Sequence, residues 1–303
     1  MQTPANYPRI ALIGTGLMGA PMAATLLARG FDVSVWNRTA SKVQALATFG
    51  AHVCASAAEA VAHAAIIIVM LENGAVVRDV VAVLIDHLSP SALLVDMSST
   101  SQAEALALHA LLAQQNIGCL DAPVSGGVAG AQAGTLAIMV GGSRQDLDCA
   151  QSVFDALGRA TLVGPPGAGQ VAKLCNQLIV GATLNIVAEA LLLAQSAGAD
   201  PAAVRQALRG GFAESRILEV HGQRMLDRDF RPGGQVRSQL KDLDNVALAA
   251  AAAGLHLPVA ELVRAQYQRL LVHAERADQS AILLAVEEDN PGRRLGTGPD
   301  RLG

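Results

Sequence analysis

The stretch that most constrains this chain is "RIALIGTGLMGAPMA", residues 9–23. A short apolar run of strand character ends in three glycines, Gly14, Gly16 and Gly19, and a helical stretch spans 18–29. Glycines at that spacing let a strand turn at once into a helix, because no Cβ obstructs the turn or the return packing. A lone strand cannot satisfy its own backbone, so partners are required. They are supplied by "DVSVW" (32–36), "AIIIVM" (65–70), "ALLVDM" (92–96) and "IGCLDA" (117–122).

These runs are nearly all apolar and alternate with helical segments at 40–49, 75–87 and 102–115. Strands buried on both faces and separated by helices predict a parallel, doubly wound α/β sheet of Rossmann type. "TLAIMVGG" (135–142) and "ATLVG" (160–164) read as further strands flanking a helix near 145–157. Beyond "VGPPGAG" the strand signal stops. One helix of about 30 residues, roughly 45 Å at 1.5 Å per residue, is expected over 168–197. It is apolar nearly all round, as a helix joining two domains would be. Gly198 fits its C-terminal stop, and Asp200-Pro201 the start of the next helix. The expected organisation is a dinucleotide-binding domain over 1–164, an all-helical domain over 165–288 and a disordered Gly/Pro/Arg-rich tail over 289–303.

Composition removes several classes of function. The net charge is -4, with no basic run, which argues against nucleic acid as a partner. The longest uninterrupted apolar blocks, such as "AAIIIVML", are too short to span a bilayer, so no membrane partner is expected. The first residues show no signal-peptide pattern, and a cytoplasmic location is expected. Four separated cysteines and seven scattered histidines form no metal-ligand spacing, so no metal is expected. Arginine outnumbers lysine 19 to three, the lysines being Lys42, Lys173 and Lys241. Where positive charge alone suffices, this chain uses arginine.

In its strand–turn–helix context the GxGxxG pattern predicts a dinucleotide site, with the pyrophosphate at the helix N-terminus. An acid at the end of the second strand would accept from a ribose 2′-hydroxyl, but Asn37, Arg38 and Thr39 stand there instead. All three can donate to a 2′-phosphate, so NADP(H) is favoured and NAD(H) is the alternative. Leu17 and Met18 in the glycine loop, and Met70, Leu71 and Thr100 beyond later strands, complete the expected cofactor contacts.

Ligands of parallel sheets lie beyond the carboxyl ends of the strands. There "VDMSST" carries Ser98, Ser99 and Thr100, hydroxyls expected to bond ribose or substrate. "DAPVSGG" carries Ser125, Gly126 and Gly127, a hydroxyl and open backbone N–H groups suited to a carboxylate. No base accompanies Ser125 and no GxSxG surrounds it, which argues against a serine hydrolase.

Four motifs in this order resemble the β-hydroxyacid dehydrogenase family: "GTGLMGAPMA", "DAPVSGG…GTLAIMVGG", "GAGQVAKLCNQ" and "KDLDN". The resemblance extends from about residue 9 to 288 and implies a Rossmann domain joined by a long helix to an all-helical domain. Within the family, "KLCNQLIV", "LRGGFAESRIL", "MLDRDFRPGG" and "DQSAI" look most like tartronate semialdehyde (2-hydroxy-3-oxopropionate) reductases. Glu72, where a proline is common, and "LLAVEED", without the usual aromatic pair, depart from the pattern. The resemblance implies Lys173 as the catalytic residue and places Lys241 near nicotinamide and substrate. It also implies a small carboxylate as substrate, and an apolar helical domain of this kind is expected to bury surface in a homodimer or homotetramer.

Chemistry supports the implied role of Lys173. Burial or a second cation lowers a lysine's pKa from about 10.4 and makes it a general acid, which arginine cannot be. Asn176, three residues on, shares its helix face and can orient the ammonium or the carbonyl. The bland alternative is a snorkelling lysine, although a helix N-terminus is a poor place for a cation. Within the family the alternatives are a 3-hydroxyisobutyrate dehydrogenase or another semialdehyde or glyoxylate reductase; from other classes the rivals are an imine reductase, whose pattern lacks this lysine, and a non-catalytic dinucleotide-binding protein. Neither explains Lys173, Asn176 and the Ser-Gly-Gly loop together.

Overall fold

The computed structural model describes residues 7–302. Residues 1–6, read above for a signal sequence, and Gly303 of the tail lie outside the described residues. The chain forms two compact units, 1–173 and 174–303.

The first unit begins with β1 (Ile10–Ile13), α1 (Gly19–Ala28), β2 (Val33–Trp36), α2 (Ser41–Ala47), β3 (His52–Val53) and α3 (Ala57–Val61). β4 (Ile66–Val69), α4 (Gly74–Leu84), β5 (Leu93–Asp96), α5 (Gln102–Ala113) and β6 (Gly118–Asp121) follow. β7 (Val124–Ser125), α6 (Gly127–Ala133), β8 (Leu136–Gly141), α7 (Arg144–Leu157) and β9 (Gly158–Gly164) complete the sheet. Its strand order is β3-β2-β1-β4-β5-β6-β8-β7, with β9 beside β8. The first six strands are parallel, in the order of a dinucleotide-binding sheet.

Strand periodicity explains why both faces are covered. Ile10 and Leu12, Ile66 and Ile68, and Leu93 and Val95 enter one core, with Met22 and Leu26 of α1 and Val153 and Phe154 of α7. Their neighbours Ala11 and Ile13, Ile67 and Val69, and Leu94 enter the other, against Val77 and Val81 of α4 and Leu108 and Leu112 of α5. Successive strand residues point to opposite faces, so unbroken apolar runs are what a two-sided sheet requires.

The first six strands match the expected parallel, doubly wound sheet, and the far edge departs from it. β8 runs antiparallel to β6 and β7. Only residues 126–135 separate β7 from β8, and α6 takes up most of them. A parallel crossover needs a dozen or more residues, so the chain folds straight back.

The helix α8 (Ala168–Ser196) runs 29 residues, and the boundary between the units falls inside it rather than at 164/165. Its first turn is bonded to the first unit, as described below. By length and composition α8 is apolar enough to cross a membrane, contrary to the expectation drawn from uninterrupted blocks. It nevertheless buries Leu184, Ala188 and Leu191 in the core of the second unit and carries Lys173, Asn176, Gln177 and Asn185 along its length.

The second unit is helical, with α9 (Pro201–Ala207), α10 (Arg216–Asp227), α11 (Val236–Ala252), α12 (Pro258–Ala274) and α13 (Ile282–Glu288). Asp200 caps α9 by accepting from the Ala202 N–H at 2.9 Å, with Pro201 in the first turn.

The tail is ordered up to residue 302, which corrects the expectation of disorder over 289–303. Arg228, 1% exposed, ends α10 in a left-handed conformation and donates from both terminal nitrogens to the Glu287 carboxylate, at 2.7 and 2.8 Å. It also donates to the Leu295 carbonyl and pairs with Asp300. Leu295 is itself fully buried in the helical core. Gly, Pro and Arg content alone read as a loose end, but one buried guanidinium gives the tail somewhere to bind. Breaking a buried ion pair by removing one partner costs about 3–5 kcal/mol. Arg228→Ala should therefore lower the melting temperature sharply, and so should truncation after Glu288. Unchanged thermal unfolding of the truncated chain would show that the tail contributes nothing.

Candidate active site

The glycine loop has the backbone its sequence demands. Gly14 has φ +100°, and a Cβ there would lie 2.3 Å from the Met70 carbonyl oxygen. A Cβ on Gly19 would lie 1.9 Å from the Gly14 carbonyl oxygen, so α1 can pack on β1 only through a glycine. At Gly16 a Cβ would meet nothing within 4 Å, leaving open space beside the backbone. Between them Thr15 is 3% exposed, and its hydroxyl oxygen has no partner among the described residues. A turn glycine, an open glycine, a packing glycine and an orphaned hydroxyl fit the pyrophosphate of a dinucleotide.

The end of β2 differs from expectation in one respect. Asn37 accepts from the Thr15 N–H and donates to the Thr39 carbonyl, each at 3.1 Å. Its side chain thus ties the glycine loop to β2. Arg38 and Thr39 are exposed beside it. Leu17 is 61% exposed, while Met18 and Met70 are half-buried against the core.

The "VDMSST" hydroxyls are also committed differently. Ser98 is fully buried; its hydroxyl oxygen accepts from the Leu71 N–H at 2.9 Å and its backbone N–H donates to Asp96 at 3.0 Å. Thr100 is 2% exposed, and its N–H donates to the Gln170 side-chain oxygen at 3.0 Å. Ser99 is the half-buried member of the three. This segment therefore braces the loop after β4, and Ser98 and Thr100 offer no exposed hydroxyl to a ligand.

The substrate motif sits on β7 and the start of α6. Ser125 ends β7, and Gly126 and Gly127 take φ values of +135° and +62°. A side chain is strained in that conformation, which accounts for the glycine pair and leaves both residues exposed. Lys173 Nζ donates to the carbonyl of Val124 at 2.9 Å, directly before Ser125. The structure thus brings the expected proton donor to the expected carboxylate loop, both within the first unit.

Asn176 and Lys241 belong to a second network, within the second unit. Asn176 donates to the Gln177 side-chain oxygen at 2.8 Å. Gln177 donates in turn to Gln239 at 2.9 Å and to Asp242 at 2.8 Å. Asp242 then lies 3.3 Å from Lys241 Nζ. A Cβ on Gly181 would lie 2.6 Å from the Gln239 amide nitrogen, so the glycine admits this network against α8. Sequence reasoning missed Gln177, Gln239 and Asp242, although a run of polar residues facing an apolar helix signals buried hydrogen bonding.

Two buried acids were missed as well. Asp96 and Asp121 are register partners at the carboxyl ends of β5 and β6, each 1% exposed. Burial pushes the Asp96 carboxyl up to about 7; bonds from Ser98 oppose the shift, and the charges of Asp121 and Glu104 add to it. Among the described residues, no group of three or more His, Cys, Asp or Glu is placed to hold a metal ion.

The fold and the glycine loop define a nicotinamide-dinucleotide oxidoreductase. A family model of the NAD binding domain of 6-phosphogluconate dehydrogenase matches residues 9–164. A second, the NAD-binding domain of NADP-dependent 3-hydroxyisobutyrate dehydrogenase, matches residues 167–286. The chain belongs to the β-hydroxyacid dehydrogenase family. It is 38% identical over 284 residues to the 2-hydroxy-3-oxopropionate reductase of Escherichia coli, covering 92% of this chain and 97% of that one. It is 35% identical over 281 residues to the NAD-dependent L-serine dehydrogenase of Pseudomonas aeruginosa, covering 88% and 94%. The structure of Mycobacterium tuberculosis 3-hydroxyisobutyrate dehydrogenase with L-serine superposes with a TM-score of 0.85 at 32% identity, covering 92% and 99%.

The Asp96 carboxyl has a consequence for stability. In the unfolded chain it ionises near pH 3.9, whereas in the fold it holds its proton to about pH 7. The folded state binds more protons between these limits, so stability is greatest below the lower value and is lost as pH rises through the upper one. At about 1.4 kcal/mol per unit of displacement, the effect is large enough to measure. Asp96→Asn should flatten the dependence: between pH 5 and 8, the wild type should lose stability relative to the variant in parallel thermal melts. Parallel curves for the two proteins would contradict this account of Asp96.

Proposed function

We propose that this protein reduces a small 3-oxo carboxylic acid to the 3-hydroxy acid with NADPH, reversibly, with tartronate semialdehyde as the substrate that fits best. The observation carrying the reading is the bond from Lys173 Nζ to the Val124 carbonyl, which sets an ammonium beside Ser125-Gly126-Gly127. A bound nicotinamide dinucleotide supplies the hydride. Ser125 and the N–H groups of Gly126 and Gly127 hold the substrate carboxylate. Lys173 Nζ leaves its carbonyl partner for the substrate oxygen and gives it a proton as charge develops there. The amine so formed takes a proton back from solvent, and in the reverse direction it accepts one from the alcohol.

The preference for tartronate semialdehyde is supported by the likeness to the Escherichia coli reductase. The Pseudomonas aeruginosa and Mycobacterium tuberculosis likenesses favour a second reading, oxidation of L-serine or 3-hydroxyisobutyrate at the same site. NADPH is favoured because Arg38 and Thr39 are exposed at the end of β2 and no acid stands there to repel a 2′-phosphate. A homodimer or homotetramer is favoured by the exposed stripe of Ile179, Ile186 and Leu193 at seven-residue spacing on α8, each more than 60% accessible. A monomeric mass by sedimentation would remove that part of the proposal.

A panel of tartronate semialdehyde, glyoxylate, succinate semialdehyde, L-serine and 3-hydroxyisobutyrate, each with both cofactors, tests the assignment. The highest kcat/KM is expected for tartronate semialdehyde with NADPH, and equal efficiency with NADH would end the cofactor preference. Lys173→Ala should lose about 100-fold or more in kcat while still binding NADPH. A nearly wild-type rate would remove Lys173 from the chemistry.

A further inference from the structure

The helix that carries Lys173 begins in an unusual way. Residues 164–170 read Gly-Pro-Pro-Gly-Ala-Gly-Gln and contain no Ser, Thr, Asp or Asn to cap the first turn. The residue before the helix, Gly167, has φ +84° and no side chain to offer. The first N–H groups of a helix have no partner within the helix and need an acceptor. That acceptor comes from another element. Asp121, at the end of β6, accepts from the Gly167 N–H at 2.8 Å through Oδ1 and from the Gln170 N–H at 3.0 Å through Oδ2.

The surroundings are built to admit this carboxylate. A Cβ on Gly141 would lie 2.6 Å from both Asp121 carboxylate oxygens. One on Gly169 would lie 2.3 Å from the Asp121 carbonyl oxygen and 2.8 Å from Oδ2. His109 Nε2, on α5, lies 3.0 Å from the same Oδ1 and also holds the carboxylate. Gln170, fully buried, accepts from the Thr100 N–H and donates to the Ser98 carbonyl at 2.9 Å. The first turn of α8 is therefore fixed from the segment after β5 and from the end of β6, and Lys173 follows three residues after Gln170. Along the chain, Asp121 also lies three residues before Val124, whose carbonyl receives the Lys173 ammonium.

We propose that Asp121 is a positioning residue for catalysis: as a borrowed cap it sets the rotation and depth of α8, and so where Lys173 Nζ stands relative to Ser125-Gly126-Gly127. Misplacing a reacting group by about 1 Å can cost about 100-fold in rate. The negative charge has a second use, since it lies at the positive end of the helix macrodipole, where an anion is stabilised. The inference rests on Lys173 being the proton donor.

The test compares Asp121→Asn, Gly169→Ala and Lys173→Ala with the wild type, with kcat expressed per NADPH-binding site titrated by fluorescence. Asp121→Asn replaces one accepting oxygen with an amide that cannot accept. Gly169→Ala keeps every polar group but pushes the first turn away from Asp121. Both should lose about 100-fold in kcat while KM for NADPH changes less than twofold. A merely structural role would lower the melting temperature and the number of binding sites but leave kcat per site unchanged, and that result would overturn the proposal. If Lys173→Ala stays active, the reading of Lys173 fails. If Lys173→Ala is inactive but the other two variants keep their rate per site, only the positioning role fails. Should neither variant fold, amide hydrogen exchange in the unmodified protein decides. Protection of the Gly167 and Gln170 amides equal to that of the α8 interior is expected, and exchange at loop rates would refute the cap.

Discussion

An apolar helix of 29 residues has to start at a defined place, and here a carboxylate from the sheet defines it. The bonds from Gly167 and Gln170 to Asp121 satisfy N–H groups that the local sequence cannot. Much else follows from that anchor. The segment after β5 is drawn in, because Gln170 holds Ser98 and Thr100, and Ser98 in turn holds the loop after β4 next to the glycine turn. The segments after β4 and β5, the end of β6 and the first turn of α8 are thus braced by one set of hydrogen bonds. Burying a carboxylate at a strand end is costly, and the elevated Asp96 carboxyl shows that cost, with the neighbouring Asp121 adding to it.

The sheet was legible because its evidence is local. Each apolar run of four to six residues between helical segments marked a strand, and Gly14, Gly16 and Gly19 marked the turn and the helix behind it. The antiparallel return of β8 was not legible, since "TLAIMVGG" reads the same in either direction and only the length of the connection decides. The tail was misread because Gly, Pro and Arg content says nothing about a buried arginine 60 residues upstream. Arg228 has no sequence signature that separates it from the other eighteen.

The candidate site divides in the same way. Lys173, Ser125, Gly126 and Gly127 stood out because their types are costly or conformationally special at those positions. Asn37 and Ser98 were assigned to ligands on their chemistry, whereas their side chains bond backbone groups of neighbouring segments, and the Thr100 N–H donates to the Gln170 side chain. Asp121, Gln170, Gln177 and Asp242 went unnoticed because a polar residue that serves another residue leaves no periodic pattern. One signal was present: a helix opening on "GPPGAGQ" lacks its own cap, so an acceptor must come from elsewhere.

The central claim is that Lys173 acts by moving a proton and not merely by being positive. Lys173→Arg separates the two, because arginine keeps the charge but does not release its proton in proteins. The measurement is the single-turnover rate of NADPH oxidation by the preformed enzyme–NADPH complex mixed with saturating tartronate semialdehyde. The account predicts a fall of about 100-fold or more, as large as for removal of the side chain. A rate for Lys173→Arg within a few fold of wild type would contradict it.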